Sequence, residues 1–322
     1  MIGRKWWVPW LWLAPTLLLS GVFLLYPVLD TVRRSFIAEG SDGIFSIDIL
    51  GLGLVIGADL DNYRFIIDNP QPLVADTHSA LLNNLMWLTV FTAITVALGL
   101  VIAVLAARVR YEAVAKSAIF IPMAISFVAA SVIWRFMYEF NPDIGTVNAV
   151  LKEIGGEPTR WLQDTGAPQA PFTDLGPDTL PRPIQINNFA LVFVGVWMWT
   201  GFAMIVLSAG LKGISTEILE AARVDGANEW QIFWRIIIPN LSPTIVVVAT
   251  TLVIQALKKF DLVWVMTAGK FKTDVVATLF YKEAFLFNNP EIGAALAVVL
   301  LLWVVPIMVI SIRRFQFQEE TR

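Results

Sequence analysis

Phe189-Ala-Leu-Val-Phe-Val-Gly-Val-Trp-Met-Trp-Thr-Gly-Phe-Ala-Met-Ile-Val-Leu-Ser-Ala-Gly-Leu211 runs for 23 residues without a charge. As a helix rising 1.5 Å per residue it is about 35 Å long, enough to cross the roughly 30 Å hydrocarbon layer of a bilayer. That layer holds no water to satisfy backbone N–H and C=O groups, so the segment must close its hydrogen bonds on itself, as a helix does. The same reading picks out stretches at about Trp6 to Leu29, Leu85 to Ala107, Ser117 to Trp134, Ile236 to Leu257 and Ile292 to Ile312. The expected fold class is therefore an all-α polytopic membrane protein with six transmembrane helices. Composition agrees: 57% of the 322 residues are apolar and 15% charged, against about 25% charged in soluble domains. Mean hydropathy is +0.69.

What is missing narrows the chemistry. There is no cysteine and one histidine, His78, which removes disulfide frameworks, thiol nucleophiles, zinc clusters and iron–sulfur sites. None of the six stretches carries an acid at its centre, which disfavours an intramembrane enzyme and a proton-coupled pump. The net charge of −3, with no basic stripe, argues against a nucleic-acid partner. The first stretch reads as a retained anchor. Its apolar core exceeds a signal peptide's h-region, no small-x-small site follows, and Trp6, Trp7, Trp10 and Trp12 suit the headgroup level.

Lysine and arginine set the expected direction. With a cytoplasmic amino terminus, 11 of them lie inside and 12 outside, but the inside segments are far shorter, and short segments obey the positive-inside rule. Arg4 and Lys5, then Arg108, Arg110 and Lys116, then Arg313 and Arg314 flank the inner helix ends. The outer loops hold 19 of the 26 carboxylates. Both termini are thus expected in the cytoplasm. Two outer loops, about 31 to 80 and 138 to 188, are long, and the second ends in a Pro- and Gly-rich tract. No repeat of 20 to 50 residues is visible.

Between the fourth and fifth stretches stands Ile214-Ser-Thr-Glu-Ile-Leu-Glu220-Ala221-Ala222-Arg-Val-Asp225-Gly226-Ala-Asn-Glu-Trp-Gln-Ile-Phe-Trp-Arg235-Ile-Ile-Ile-Pro239. Ser215 or Thr216 suits an N-cap, Glu217 suits the positive helix end, and Gly226 can take the left-handed conformation. This predicts a short helix, a glycine bend and a second short helix entering the fifth span. Ile214, Ile218, Ala221 and Ala222 share a face by helical spacing. A helix lying on the inner leaflet is one reading, but such helices usually present Lys and Arg, whereas this one presents Glu217, Glu220, Asp225 and Glu229. A protein surface offering basic side chains suits those acids better.

Glu220-Ala221-Ala222, Gly226 and Ile238-Pro239 resemble the EAA loop of permease subunits in binding-protein-dependent ATP-binding-cassette (ABC) importers. Leu60-Asp61-Asn62-Tyr63, Ile121-Pro122, Thr267-Ala268-Gly269 and Tyr281-Lys282-Glu283-Ala284-Phe285 are similar to the carbohydrate, maltose-type branch. The runs 258–267 and 108–117 are most similar to alpha-glucoside permeases. The likeness covers about residues 60 to 315. Lys270 departs from the glycines and proline common there, and the Pro-rich tract at 165 to 185 looks like an insertion.

The resemblance implies a type I ABC importer permease fold. It divides the chain into residues 1–80, the first helix and first periplasmic loop; 81–315, a five-helix permease core with its coupling loop at about 212–239; and a cytoplasmic tail at 316–322. It implies no cofactor in this chain, with ATP and magnesium held by a partner; the sequence accordingly has no G-x-x-x-x-G-K-[ST]. The implied partners are a cytoplasmic ATPase dimer, a second homologous permease, a periplasmic or lipid-anchored sugar-binding protein, and membrane lipid. Glu220 would contact a basic ATPase residue, Ala221 and Ala222 would pack closely, Gly226 would make the bend, Asp225 would cap or brace it, and Pro239 completes the motif.

For the substrate path, Thr251, Gln255 and Lys258 fall on one face of the fifth span, with Trp199, Thr200 and Phe202 in the fourth and Ser126 in the third. Amide, hydroxyl and aromatic plate are the groups that hold a sugar. Each has a plainer alternative: packing for Trp199 and Phe202, back-bonding to a carbonyl for Ser126 and Thr200. Asn83 and Asn84 would cap or bridge helices. Arg33, Arg34 and Arg135 would snorkel or pair with loop carboxylates, or help dock a delivery protein. A stand-alone secondary carrier or channel remains the alternative function; Pro239 and Pro243 are its only hint.

Overall fold

The computed structural model describes residues 7–37, 46–47, 54–55, 60–68, 77–107, 109–163 and 185–320. Arg4, Lys5, Trp6, Arg108 and the Pro-rich tract up to residue 184 lie outside them, as do the side chains of His78, Arg313 and Arg314. The helices are α1 (Val8–Ser35), α2 (Asp61–Asp68), α3 (Ser79–Ala106), α4 (Glu112–Ala124), α5 (Phe127–Met137), α6 (Thr146–Glu153), α7 (Ile186–Lys212), α8 (Thr216–Val224), α9 (Glu229–Leu257), α10 (Asp261–Thr267), α11 (Val276–Tyr281) and α12 (Pro290–Glu320). A two-residue antiparallel pair, β1 (Ser46–Ile47) with β2 (Leu54–Val55), lies between α1 and α2.

The chain forms two compact units, residues 1–74 with 279–302 and residues 75–278 with 303–322. In the first, Asn62 Nδ2 donates to the carbonyls of Ser35 and Ile37 (3.2 and 2.7 Å), and the Tyr63 hydroxyl to Ser35 Oγ at 2.8 Å. The Leu60-Asp61-Asn62-Tyr63 run therefore ties off the carboxyl end of α1. Asp30 accepts from Arg34 Nε at 2.8 Å and Arg33 Nη1 at 3.4 Å. Among the described residues those arginines pair within their own helix. The side chains of α1 are almost all exposed, as a helix facing lipid requires.

The second unit is built around α7. Nearly three quarters of its most apolar window is buried, and α3, α4 and α9 pack against it. Gly201 makes one approach possible: a Cβ there would stand 2.7 Å from the Ile119 carbonyl oxygen, so the α4 and α7 backbones meet. The buried cluster runs from Met86, Trp87 and Phe91 through Trp134, Leu191, Met204 and Leu207 to Leu241, Val248 and Leu252.

The span expected over Ser117 to Trp134 is broken. The axes of α4 and α5 differ by 96°, with Ile125 and Ser126 in extended conformation (ψ 140° and 146°). Two local facts explain it. Pro122 has no N–H for the helical ladder, and Ser126 Oγ accepts from Ala129 N at 3.1 Å, capping a new helix. Among the described residues four helices are each long and apolar enough to span, α4 with α5 makes a broken fifth, and α12 is apolar over Pro290–Pro306 at the sixth expected place. The other spans run a few residues past their expected bounds. α1 reaches Ser35 and α9 starts at Glu229, because π-helical turns at Gly21–Leu25 and Phe233–Ile237 carry the helix on without a break.

Candidate functional site

Between Lys212 and Glu229 the chain makes an elbow. Ser215 stands at the N-cap of α8, but its hydroxyl meets Glu217 Oε2 at 3.5 Å instead of capping a backbone N–H. At the other end Gly226 N–H donates to Arg223 O (3.1 Å) and Ala227 N–H to Ala222 O (3.0 Å), with Gly226 at φ +86°. This paired closure needs a left-handed residue, which glycine supplies without a Cβ clash. Asn228 then caps α9: its Oδ1 accepts from Gln231 N (2.8 Å) and its own N–H donates to Gln231 Oε1 (3.0 Å). Arg223 Nε bonds Glu229 Oε1 at 2.9 Å across the bend. That pair braces the elbow; Asp225, expected to do so, is exposed and among the described residues makes no side-chain hydrogen bond. Glu220, Ala221, Gly226 and Pro239 are exposed and Ala222 half-buried, and among the described residues Glu220 has no ion-pair partner.

At the far end of α9 lies a polar step in the core. Lys259 is 5% exposed. Its Nζ sits 4.8 Å from the Phe91 ring centroid, 5.4 Å from Phe127, 5.5 Å from Trp87 and 5.7 Å from Trp199. The elements that position these rings are specific. Trp87 and Phe91 bound the π-helical turn in α3, Phe127 opens α5 just after the break, and Trp199 is the midpoint of α7. Trp199 and Phe127 stack with centroids 6.1 Å apart, and Phe202 meets Trp199 edge-on at 5.6 Å. A cavity of about 190 Å³ adjoins, lined by Phe127, Gln255, Lys258, Lys259, Asp261 and Leu262.

The structure sorts the residues expected on the substrate path. Gln255 and Lys258 share that cavity, and Trp199 and Phe202 stand beside it through Phe127. Thr200 Oγ1 donates back to Val196 O (2.7 Å) and Thr251 Oγ1 to Val247 O (3.0 Å), so both hydroxyls are spent on their own helices. Ser126 caps α5. Lys258 lies one residue beyond the end of α9, exposed, and its neighbour is the buried lysine. The helix stops at Leu257, so Lys258 leaves the helical face shared by Thr251 and Gln255 while still lining the cavity.

At the α7 end opposite the elbow, asparagines hold residues 268–276. Asn83 Nδ2 donates to Lys272 O and Asp274 O (2.8 and 2.7 Å), Asn187 Nδ2 to Phe271 O (2.8 Å), and Val276 N to Asn84 Oδ1 (2.8 Å). Asn188 Nδ2 joins them by donating to Asn83 Oδ1 at 3.0 Å. The held loop has positive φ at Ala268, Gly269, Phe271 and Lys272. A cavity of about 340 Å³ opens beside it, lined among others by Arg135, Glu139, Arg160, Trp264 and Lys270. Among the described residues no cluster of His, Cys, Asp and Glu is placed to hold a metal ion.

The chain is 45% identical over 316 residues to the osmoprotective compounds uptake permease protein GgtC of Synechocystis, covering 97% of this chain and 100% of that one. It is 39% identical over 310 residues to the alpha-glucoside transport system permease protein AglF of Rhizobium meliloti, covering 95% and 81%. In fold it is similar to a chain of a bacterial ABC transporter involved in the import of the acidic polysaccharide alginate, with a TM-score of 0.70, 21% identity, and 95% and 96% of the two chains covered. The model of the binding-protein-dependent transport system inner membrane component matches residues 95–318, and the chain belongs to that family.

Proposed function

We propose that this permease subunit imports a sugar, an alpha-glucoside or a related osmolyte glucoside, by alternating access driven by a separate ATPase. Both termini and the elbow lie in the cytoplasm in this reading, and residues 268–276 face the outside. The two permeases above, named for osmoprotective compounds and alpha-glucosides, support the substrate class. A solved alginate transporter in complex with an alginate pentasaccharide-bound periplasmic protein supports a delivery protein. A second permease, an ATPase dimer that holds ATP and magnesium, and membrane lipid complete the assembly.

One observation carries the mechanism: α9 runs without interruption from Glu229 at the elbow to Leu257, two residues short of Lys259 in the aromatic core. A helix is stiff along its axis, so displacement of its amino end is transmitted to the cavity 29 residues away. Glu220 and Asp225 offer charge to a basic ATPase cleft, Ala221 and Ala222 let that surface come close, and Gly226 with Pro239 fixes the angle at which α8 leaves α9. Nucleotide favours one state by binding it more tightly than the other. Gln255, Lys258, Trp199 and Phe202 line or flank the sugar's route, while Ser126, Thr200 and Thr251 shape its helices.

The test is reconstitution. Tagged chain co-expressed with the transporter's other subunits should bring down an ATPase and a second permease, and vesicles holding the assembly should take up labelled alpha-glucosides only with ATP inside. Uptake by the lone chain would refute the reading.

A further inference from the structure

Lys259 is the observation that the sugar-import reading leaves over. Trp199 is 13 residues from either end of α7, about 20 Å along the axis, so the ammonium beside its ring lies near mid-bilayer. A cation at that depth is costly and marks function by default. No carboxylate of the described residues lies in ion-pair range of Nζ, and four ring faces are its surroundings. One of those rings, Phe127, also lines the 190 Å³ cavity with Gln255 and Lys259 itself. Beside it the indole N–H of Trp199, buried, has no acceptor. A buried donor left unsatisfied is destabilising unless something arrives to accept from it.

We infer that the box of Trp87, Phe91, Phe127 and Trp199 is a pyranose-binding subsite, with Lys259 as a placeholder that becomes a substrate contact. This deepens the sugar-import reading and rests on it. The C–H face of a pyranose carries the same partial positive charge that draws an ammonium to an aromatic face, so sugar and Lys259 compete for one surface. When the sugar enters, Nζ moves a few ångströms into the adjoining cavity, which Asp261 also lines, and donates to its hydroxyls, which a buried ammonium with three N–H groups and no hydrogen bond among the described residues is suited to do. The Trp199 N–H gains a hydroxyl acceptor. With no sugar present the lysine fills the box, so the empty site neither collapses nor admits water. Lys258, exposed one residue earlier, lines the cavity, while the four rings surround Lys259.

The experiment uses the full complex with its ATPase and binding protein in vesicles. It measures ATP-driven uptake of a labelled alpha-glucoside and of each of its monodeoxy analogues, for wild type, Lys259→Met and Lys259→Arg. Lys259→Met removes the donors at similar volume; the expected result is a tenfold or greater loss of uptake for the parent sugar. For the one or two hydroxyls that Lys259 contacts, the deoxy analogue should lose about tenfold in wild type and nothing further in Lys259→Met. The same binding protein serves every variant, so its own preferences cancel in that ratio. Equal deoxy ratios in wild type and Lys259→Met, or unchanged uptake, would overturn the inference. Should Lys259→Met not assemble, the ratios are read in Lys259→Arg, where a shifted deoxy pattern supports the contact and the wild-type pattern overturns it. If wild type moves no sugar at all, the sugar reading has failed, and the wild-type measurements alone reveal it.

Discussion

Asn83 Nδ2 lies 2.8 Å from the carbonyl oxygen of Lys272, 189 positions further along the chain, and 2.7 Å from that of Asp274. One amide thus closes two carbonyls, that of Asp274 buried, in a loop whose backbone is held at positive φ in four places. Leaving a buried carbonyl unpaired costs about 1–3 kcal/mol. Asn83→Leu should therefore release residues 268–276 before the rest of the unit. Hydrogen exchange across that loop should rise at least tenfold in the variant while α7 stays protected; unchanged exchange would show that Asn187 and Asn84 suffice.

The elbow gives a prediction about charge. Glu220 is exposed and has no ion-pair partner among the described residues, so its removal should leave the described fold alone. A hydrogen bond to a charged group is worth about 1.5–3 kcal/mol. Glu220→Ala should lower sugar-stimulated ATP hydrolysis in the reconstituted complex by roughly ten- to hundredfold, with normal recovery of the purified permease. Wild-type hydrolysis would remove the acidic contact from the mechanism.

A contrasting result is expected three residues on. Arg223 and Glu229 are each about half exposed, and exposed ion pairs contribute about 0–1 kcal/mol. Arg223→Gln should leave the melting temperature of the complex within about two degrees of wild type, since the capping by Asn228 and Gln231 persists. A fall of ten degrees would mean that the brace, not the cap, holds the bend.

Packing offers a harsher test. The Cβ of Gly201→Ala would stand 2.7 Å from Ile119 O and 2.9 Å from Phe120 Cα, both backbone atoms that cannot swing aside. Overpacking of this kind costs about 1–3 kcal/mol. The expected outcome is a lower melting temperature and reduced yield of assembled complex. Unaltered yield and stability would indicate that α4 and α7 separate easily.

Much of this was legible before any coordinates. The charge-free run at 189–211 announces α7, and Gly226 between two short amphipathic segments announces the elbow, because backbone satisfaction in lipid and left-handed φ leave few other solutions. The break at Ile125–Ser126 was not, since a serine inside an apolar run has no periodic signature and only its capping bond reveals the turn. Lys259 stood out only as one of two lysines at a depth where a cation needs a partner, water or a route to the interface. Two adjacent lysines look alike in a sequence, and which one turns inward depends on where α9 stops. The asparagines were read as bridges, but their partners, nearly 190 residues distant, follow only from the fold.

The chain has no cysteine, so a single Glu220→Cys variant carries a unique thiol at the tip of the elbow. Crosslinking it in native membranes with a short thiol-to-amine reagent tests most directly whether this elbow seats in an ATPase. The account predicts one dominant adduct with the ATPase subunit, its yield changing when ATP is bound. A thiol that reacts only with lipid-phase reagents, or with impermeant ones added from outside the cell, would contradict it.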